Sequence, residues 1–213
     1  MIKSFFSNQS KTIIGAAIIL GAASFVSRLI GIIRDRIFAH TFGAGEVLDV
    51  YYAAFRIPDL VYNLIIVGTL SAGFIPIFTK LINKDKKAAW RVTNSIINIL
   101  GLSLVAICSI LFIFTPQIMP YLVPGFSAQD LSAAIILTRI MFLSPILLGI
   151  SGIISSVLQS FKSFLIYSIT PIVYNIGIII GALFFVPIMG IKGLAYGVIL
   201  GALLHLSIQI PDL

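Results

Sequence analysis

Apolar residues along this chain gather into six long runs, at positions 12–33, 48–78, 92–114, 131–157, 164–186 and 193–210, with short polar stretches between them. A helix needs about 20 apolar residues to cross the hydrocarbon core of a bilayer, and each run reaches or approaches that length. None alternates polar with apolar residues as a barrel strand must. The pattern predicts an all-α, polytopic transmembrane helix bundle of six spans over residues 12–213, preceded by a cytoplasmic N-terminal segment at 1–11. The first run carries on toward Phe42. The second is too long for one upright span and holds Pro58 and Pro76. Because proline lacks an N–H and clashes with the preceding turn, a bend is expected near Pro58. The fourth run holds Pro145 and the fifth Pro171, and the stretch 116–130, with three prolines, one glycine and no lysine or arginine, is expected to form an outward-facing turn.

Six spans put both termini on one side of the membrane. Lys3, Lys11, Lys80, Lys84, Lys86, Lys87, Arg91 and Lys162 lie before the first span or in the loops after the second and fourth, against Arg34, Arg36 and Lys192 in the opposite loops. By the positive-inside rule the termini are cytoplasmic. The lysines at the start, the apolar stretch after them and the small residues Gly21, Ala22, Ala23 and Ser24 also sketch a cleavable signal peptide. Apolar character continuing through Phe25, Val26, Leu29, Ile30, Ile32 and Ile33 favours an uncleaved first span.

Charges interrupt this pattern in one place. Arg28, Arg34, Asp35, Arg36, Asp49, Arg56 and Asp59 all fall between positions 27 and 78. An arginine, lysine or aspartate at the bilayer centre costs about 2.5–3.5 kcal/mol on insertion scales, so such residues face a wet cavity or a partner. At 100° per residue, Ser24, Arg28, Gly31 and Asp35 share a face of the first helix, with Arg34 at its border; Asp49, Tyr52, Arg56, Asp59 and Asn63 share a face of the second. Arg56 and Asp59 are also spaced to pair locally, which would be a structural reason for both. Asn94, Asn98 and Asn175 read as helix-packing amides. Arg139 reads equally as an interfacial anchor or as a cavity wall, and His205 as an interfacial or packing histidine.

Composition agrees with the pattern: 59% of residues are hydrophobic and 10% charged, and the mean hydropathy is +1.13. A net charge of +7 raises the question of nucleic acid, but the basic residues collect where apolar runs stop and form no stripe interleaved with aromatics, so no nucleic-acid partner is expected. Cys108 has no second thiol to pair with. His40 and His205 lie in different segments, and no paired-cysteine, HExxH or phosphate-loop spacing occurs, so neither an enzyme nor a metal or cofactor site is expected. Gly43-Ala44-Gly45 reads as the turn between the first two spans.

The run Ser27-Arg28-Leu29-Ile30-Gly31-Ile32-Ile33-Arg34-Asp35 is followed by Thr41-Phe42-Gly43-Ala44-Gly45, by Asp49-Val50-Tyr51-Tyr52-Ala53-Ala54-Phe55-Arg56-Ile57-Pro58-Asp59-Leu60 and by Leu70-Ser71-Ala72-Gly73-Phe74-Ile75-Pro76-Ile77-Phe78. With Val123-Pro124-Gly125-Phe126, Thr170-Pro171-Ile172-Val173-Tyr174-Asn175 and Gln209-Ile210-Pro211-Asp212-Leu213, this ordered series resembles the MurJ/MviN family of lipid II flippases, in the MOP exporter superfamily. The resemblance implies a bacterial cytoplasmic-membrane protein working in peptidoglycan biosynthesis by alternating access between two six-helix lobes. It implies a cationic cavity that binds the diphosphate headgroup of a polyprenyl-linked precursor. Carried over position by position, it points to Arg28, Arg34, Asp35, Asp49 and Arg56 as substrate-binding residues, supported by Ser27, Gly31, Pro58, Asp59 and Asn63. Tyr62 and Val67 stand where many members have an arginine and an acidic residue, which implies a weaker hold on the diphosphate.

The resemblance covers the N-terminal lobe of a typical member. A C-terminal lobe is therefore an expected partner, alongside membrane lipids and the polyprenyl-diphosphate substrate. Two alternatives stay open on the sequence: an exporter of another polyprenyl-diphosphate-linked sugar, and, for a chain ending at Leu213, a non-transporting membrane scaffold.

Overall fold

A computed structural model describes residues 13–43, 45–64 and 68–213; the N-terminal segment, Ala44 of the first turn and Val67 lie outside them. The described residues are almost wholly helical. The α-helices are α1 (Ile13–Phe42), α2 (Glu46–Tyr62), α3 (Gly68–Ile82), α4 (Lys86–Leu122), α5 (Ala128–Met141), α6 (Leu143–Ser160), α7 (Phe164–Ile180), α8 (Val186–Met189) and α9 (Lys192–Ser207). A π-helical turn, Gly181–Phe185, joins α7 to α8. Five helical stretches are long and apolar enough to cross a membrane: Ile14–Phe42, Lys86–Leu122, Ala128–Ser160, Phe164–Met189 and Lys192–Asp212. The second apolar run is divided between α2 and α3, where Gly73–Ile82 is a shorter apolar helix.

Several boundaries differ from those the sequence predicts. α2 runs through Pro58 to Tyr62, and a π-helical turn follows it at Asn63 and Leu64. Proline at 58 leaves the Ala54 carbonyl without its helical donor, and the Thr138 hydroxyl of α5 stands 3.1 Å from that oxygen, its one proton shared with the Ala134 carbonyl at 2.8 Å. The stretch expected as an outward turn is helical as far as Leu122, with Pro116 and Pro120 inside α4. Pro116 likewise frees the Phe112 carbonyl, and Arg139 Nε donates to it at 3.0 Å while its guanidinium carbon stands 4.9 Å from the Phe112 ring centre. In α7, Pro171 frees the Tyr167 carbonyl, which accepts from the Thr170 hydroxyl at 2.8 Å. In lipid no water replaces a lost backbone bond, so each of these prolines is tolerated because a side chain takes over the donation.

α6 stands at the centre, touching α2, α3, α4, α7 and α9, while α1 lies outside and packs chiefly along α7. The closest contact is between α7 and α9. A Cβ on Gly177 would lie 2.4 Å from the Gly201 Cα, and one on Gly181 would lie 2.4 Å from the Gly197 Cα. Backbones meet there with no side chain between them. Glycines four residues apart on facing helices allow this approach, and with lipid as apolar as leucine, van der Waals contact of that kind is what holds membrane helices together. Helix ends that leave the bundle are capped in the ordinary way: the Asp85 carboxylate accepts from Ala88 N at 3.1 Å before α4, and the Ser127 hydroxyl accepts from Asp130 N at 3.1 Å before α5.

Replacing Gly197 by leucine is expected to push α7 from α9 and lower stability by about 1–3 kcal/mol, the usual penalty for overpacking, read as a drop in the thermal midpoint in detergent; Leu102→Ala, on an exposed face of α4, should leave it unmoved. Thr138→Val is expected to lower stability by about 1 kcal/mol, because it strands the Ala54 carbonyl while keeping the side chain's shape.

Candidate functional site

Helix α1 buries a narrow stripe. Ala16, Ala23, Ser27, Gly31, Arg34 and Phe38 recur along it at helical spacing and are buried or half-buried, whereas Ser24, Arg28, Asp35 and Arg36 are exposed. The stripe is turned by about 60° from the face through Ser24, Arg28, Gly31 and Asp35 that sequence spacing singles out. Arg34 therefore lies on the seam with α7. Its Nη1 donates to the Asn175 side-chain carbonyl at 2.9 Å, and its Nε and Nη2 donate to Asp35 Oδ1 at 2.9 and 2.8 Å. The Phe38 ring centre is 5.9 Å from the guanidinium carbon. Asn175 is held in turn by Nδ2, which donates to the Pro171 carbonyl at 3.0 Å.

Arg34 lines a cavity of about 360 Å³. α2 supplies Tyr51, Tyr52, Phe55, Pro58, Asp59 and Tyr62; α6 supplies Ser144 and Leu148; α7 supplies Pro171, Tyr174 and Ile178; and α9 supplies His205. Nearly half of this wall is aromatic. Tyr51 anchors it from below, meeting Phe38 edge to face with ring centres 5.4 Å apart, and Tyr174 meets His205 edge to face at 6.4 Å. The charged groups sit at two points. One is the Arg34 fork; the other is the Asp59 carboxylate, steadied by Asn63 Nδ2 at 3.0 Å from Oδ2.

Behind His205 lies a buried polar chain. The Ser151 hydroxyl is 2.7 Å from His205 Nδ1, Gln209 Nε2 donates to Ser151 Oγ and to the His205 carbonyl, and the Ser155 hydroxyl donates to Gln209 Oε1 at 2.8 Å. Ser151 and Gln209 are wholly buried, so this chain fixes the histidine's place in the wall. Among the described residues, no three His, Cys, Asp or Glu side chains lie close enough to share a metal ion.

Of the five residues expected to hold substrate, Arg34 lines the cavity. Asp35 touches it only through Arg34, and Arg28, Asp49 and Arg56 are exposed and lie outside it. Of the supporting residues, Pro58 and Asp59 line it, Asn63 steadies Asp59, and Ser27 and Gly31 lie on the α1 seam toward it. The local Arg56–Asp59 ion pair does not form; among the described residues the ion pair within reach is Arg34–Asp35, at 2.8 Å. Arg139 does not line this cavity; its Nε donates to the Phe112 carbonyl on α4. Asn175 and His205, expected as packing residues, both bear on the site.

A family model described as lipid II flippase MurJ matches residues 38–213. The "Lipid II flippase MurJ" of Burkholderia cenocepacia is 29% identical over 93% of this chain and 39% of its own length. The "Probable lipid II flippase MurJ" of Rickettsia prowazekii is 30% identical over 82% of this chain and 35% of its own. A solved "Lipid II flippase MurJ, inward closed conformation" superposes with a TM-score of 0.78 at 28% identity, covering 92% of this chain and 42% of that one. The chain spans well under half the length of each. With a family match over most of its residues and a fold that follows the solved relative, this multi-pass membrane chain belongs to the MurJ lipid II flippase family.

Proposed function

We propose that this chain forms one wall of the path by which a polyprenyl-diphosphate-linked sugar of the lipid II class crosses a bacterial cytoplasmic membrane, its N-terminus on the cytoplasmic side. Arg34 carries the reading. It is a cation on a membrane-spanning helix, its side chain 26% exposed, at the wall of a hollow large enough for part of a headgroup. An ionisable residue at such a position marks a ligand or a pathway by default. The planar fork of arginine suits phosphate oxygens, and the bond gains strength where water is scarce. The names borne by the relatives support the same substrate class.

In this reading Arg28, Asp49 and Arg56, exposed beside the cavity, belong to its wider mouth, where a second helix bundle closes over them. Asp59 with Asn63 forms the polar rim opposite Arg34, Ser27 and Gly31 keep the α1 seam narrow, and Pro58 fixes the turn from which Asp59 projects. Alternating access requires two bundles rocking about a shared site, so a C-terminal lobe is the partner the proposal calls for.

The purified chain in lipid nanodiscs is expected to bind a fluorescent polyprenyl diphosphate, and Arg34→Ala to weaken that binding by about 10- to 150-fold, the equivalent of losing one charged hydrogen bond of about 1.5–3 kcal/mol. Equal affinity in the variant would take Arg34 out of the site. Competition between lipid II and other polyprenyl-diphosphate-linked sugars distinguishes a peptidoglycan precursor from the wider class. Residues 1–213 reconstituted alone in vesicles are expected to bind the lipid without moving it across; transport at the rate of a full-length relative would refute the need for two bundles.

A further inference from the structure

We propose that Asn175 is a positioning residue which, together with Asp35, turns the Arg34 guanidinium so that its two unengaged Nη N–H groups form the edge that receives a phosphate of the ligand. The inference rests on the function proposed above and names how that site is set.

Arginine carries five N–H donors in a rigid plane. Asp35 Oδ1 takes the one on Nε and one on Nη2, and Asn175 Oδ1 takes one on Nη1. One donor on each Nη remains, both in the guanidinium plane; with Asn175 on the Nη1 N–H nearer Cδ, these two stand side by side at the spacing of a bidentate phosphate contact. The orienting groups are themselves fixed. Asn175 is 9% exposed, and its Nδ2 bond to the Pro171 carbonyl leaves its carbonyl oxygen, rather than its amine, toward Arg34. Asp35 follows Arg34 in sequence on the same helix, so its reach is set by α1 alone. Asn175 supplies the constraint that α1 cannot, tying the fork to α7, the helix that also carries Tyr174 into the cavity wall.

The same geometry changes the role of Asp35. Sequence reading placed it among substrate-binding residues, but a carboxylate facing a diphosphate repels it. With Oδ1 engaged twice by Arg34, Asp35 acts through the arginine.

The test is a double-mutant cycle on the full chain in nanodiscs, read as affinity for a fluorescent polyprenyl diphosphate. Asn175→Leu is expected to weaken binding about tenfold in the wild-type background. In Arg34→Lys it is expected to change binding less than about twofold, because an ammonium is a point charge with no plane to orient. An equal loss in both backgrounds would assign Asn175 to packing alone and overturn the proposal, as would no loss in either. If Asn175→Leu fails to insert or fold, the cycle is run with Asn175→Ala, judged by the same two outcomes. Absence of binding by the wild-type chain would overturn the functional reading, and with it this one; wild-type binding with an indifferent Asn175 would overturn only the positioning role.

Discussion

Backbone contact between α7 and α9 sets the geometry on which the cavity depends. Gly177 opposes Gly201 and Gly181 opposes Gly197 with no room for a Cβ on either side. In a lipid environment, helices gain nothing from hiding leucines, and close approach is the source of their attraction. Because the register of that contact is fixed, the residues beyond it are fixed as well. Tyr174 and Asn175 lie less than one turn before Gly177 on α7, and His205 lies one turn beyond Gly201 on α9. Tyr174 and His205 enter the cavity wall, while Asn175 reaches across to Arg34. A shift of one residue in the glycine seam would carry His205 away from Tyr174, with which it now makes a ring contact.

The second constraint is the carbonyl that proline leaves unpaired. α2, α4 and α7 all contain proline within their apolar lengths, and in each a hydroxyl or guanidinium donates to the freed oxygen. Two of these donors, Thr138 and Arg139, are neighbours on α5. That helix thereby fastens α2 on one side and α4 on the other, through bonds that would count for little in water and count for more where nothing else can donate. The arrangement accounts for Arg139 without a ligand. An intramembrane arginine is a functional candidate by default, and here the backbone of a neighbouring helix supplies the partner.

Much of the fold is legible in the sequence because hydrophobic run length is a direct consequence of bilayer thickness. The runs name the spans, and the motifs from Ser27 to Phe78 carry the family resemblance. Less legible is which face of each helix turns inward. Spacing alone puts Arg28 and Asp35 on the favoured face of α1, yet the packing seam runs through Ser27, Gly31, Arg34 and Phe38. The difference is a rotation set by α7, which no periodicity within α1 encodes. The end of α2 is hidden for a similar reason: the carbonyl that Pro58 frees meets Thr138, 80 residues later in the chain. A repeat in the sequence does mark one inward face. Gly193, Gly197, Gly201, His205 and Gln209 repeat every four residues, which places His205 on the same face as the glycine seam and marks it as an interior residue.

The rotation of α2 carries a further consequence. Its buried side chains, Val50, Ala53, Ala54, Ile57 and Val61, face α5 and α6, and its cavity residues, Tyr51, Phe55, Pro58 and Tyr62, stand next to them. Asp49, Arg56 and Asn63 lie further round, about 130° from the centre of those four. Tyr52 and Asp59 are the residues that belong to both the polar stripe and the cavity. A helix ordered in this way, from packed to aromatic to charged, grades from the lobe's interior to its surface. Arg56 and Asp49 on that surface would each cost about 2.5–3.5 kcal/mol against acyl chains near the bilayer centre. Water or protein over this face removes that penalty, and the same cover would turn the half-open hollow beside Arg34 into an enclosed one, where charge-assisted hydrogen bonds from its remaining donors would be strongest.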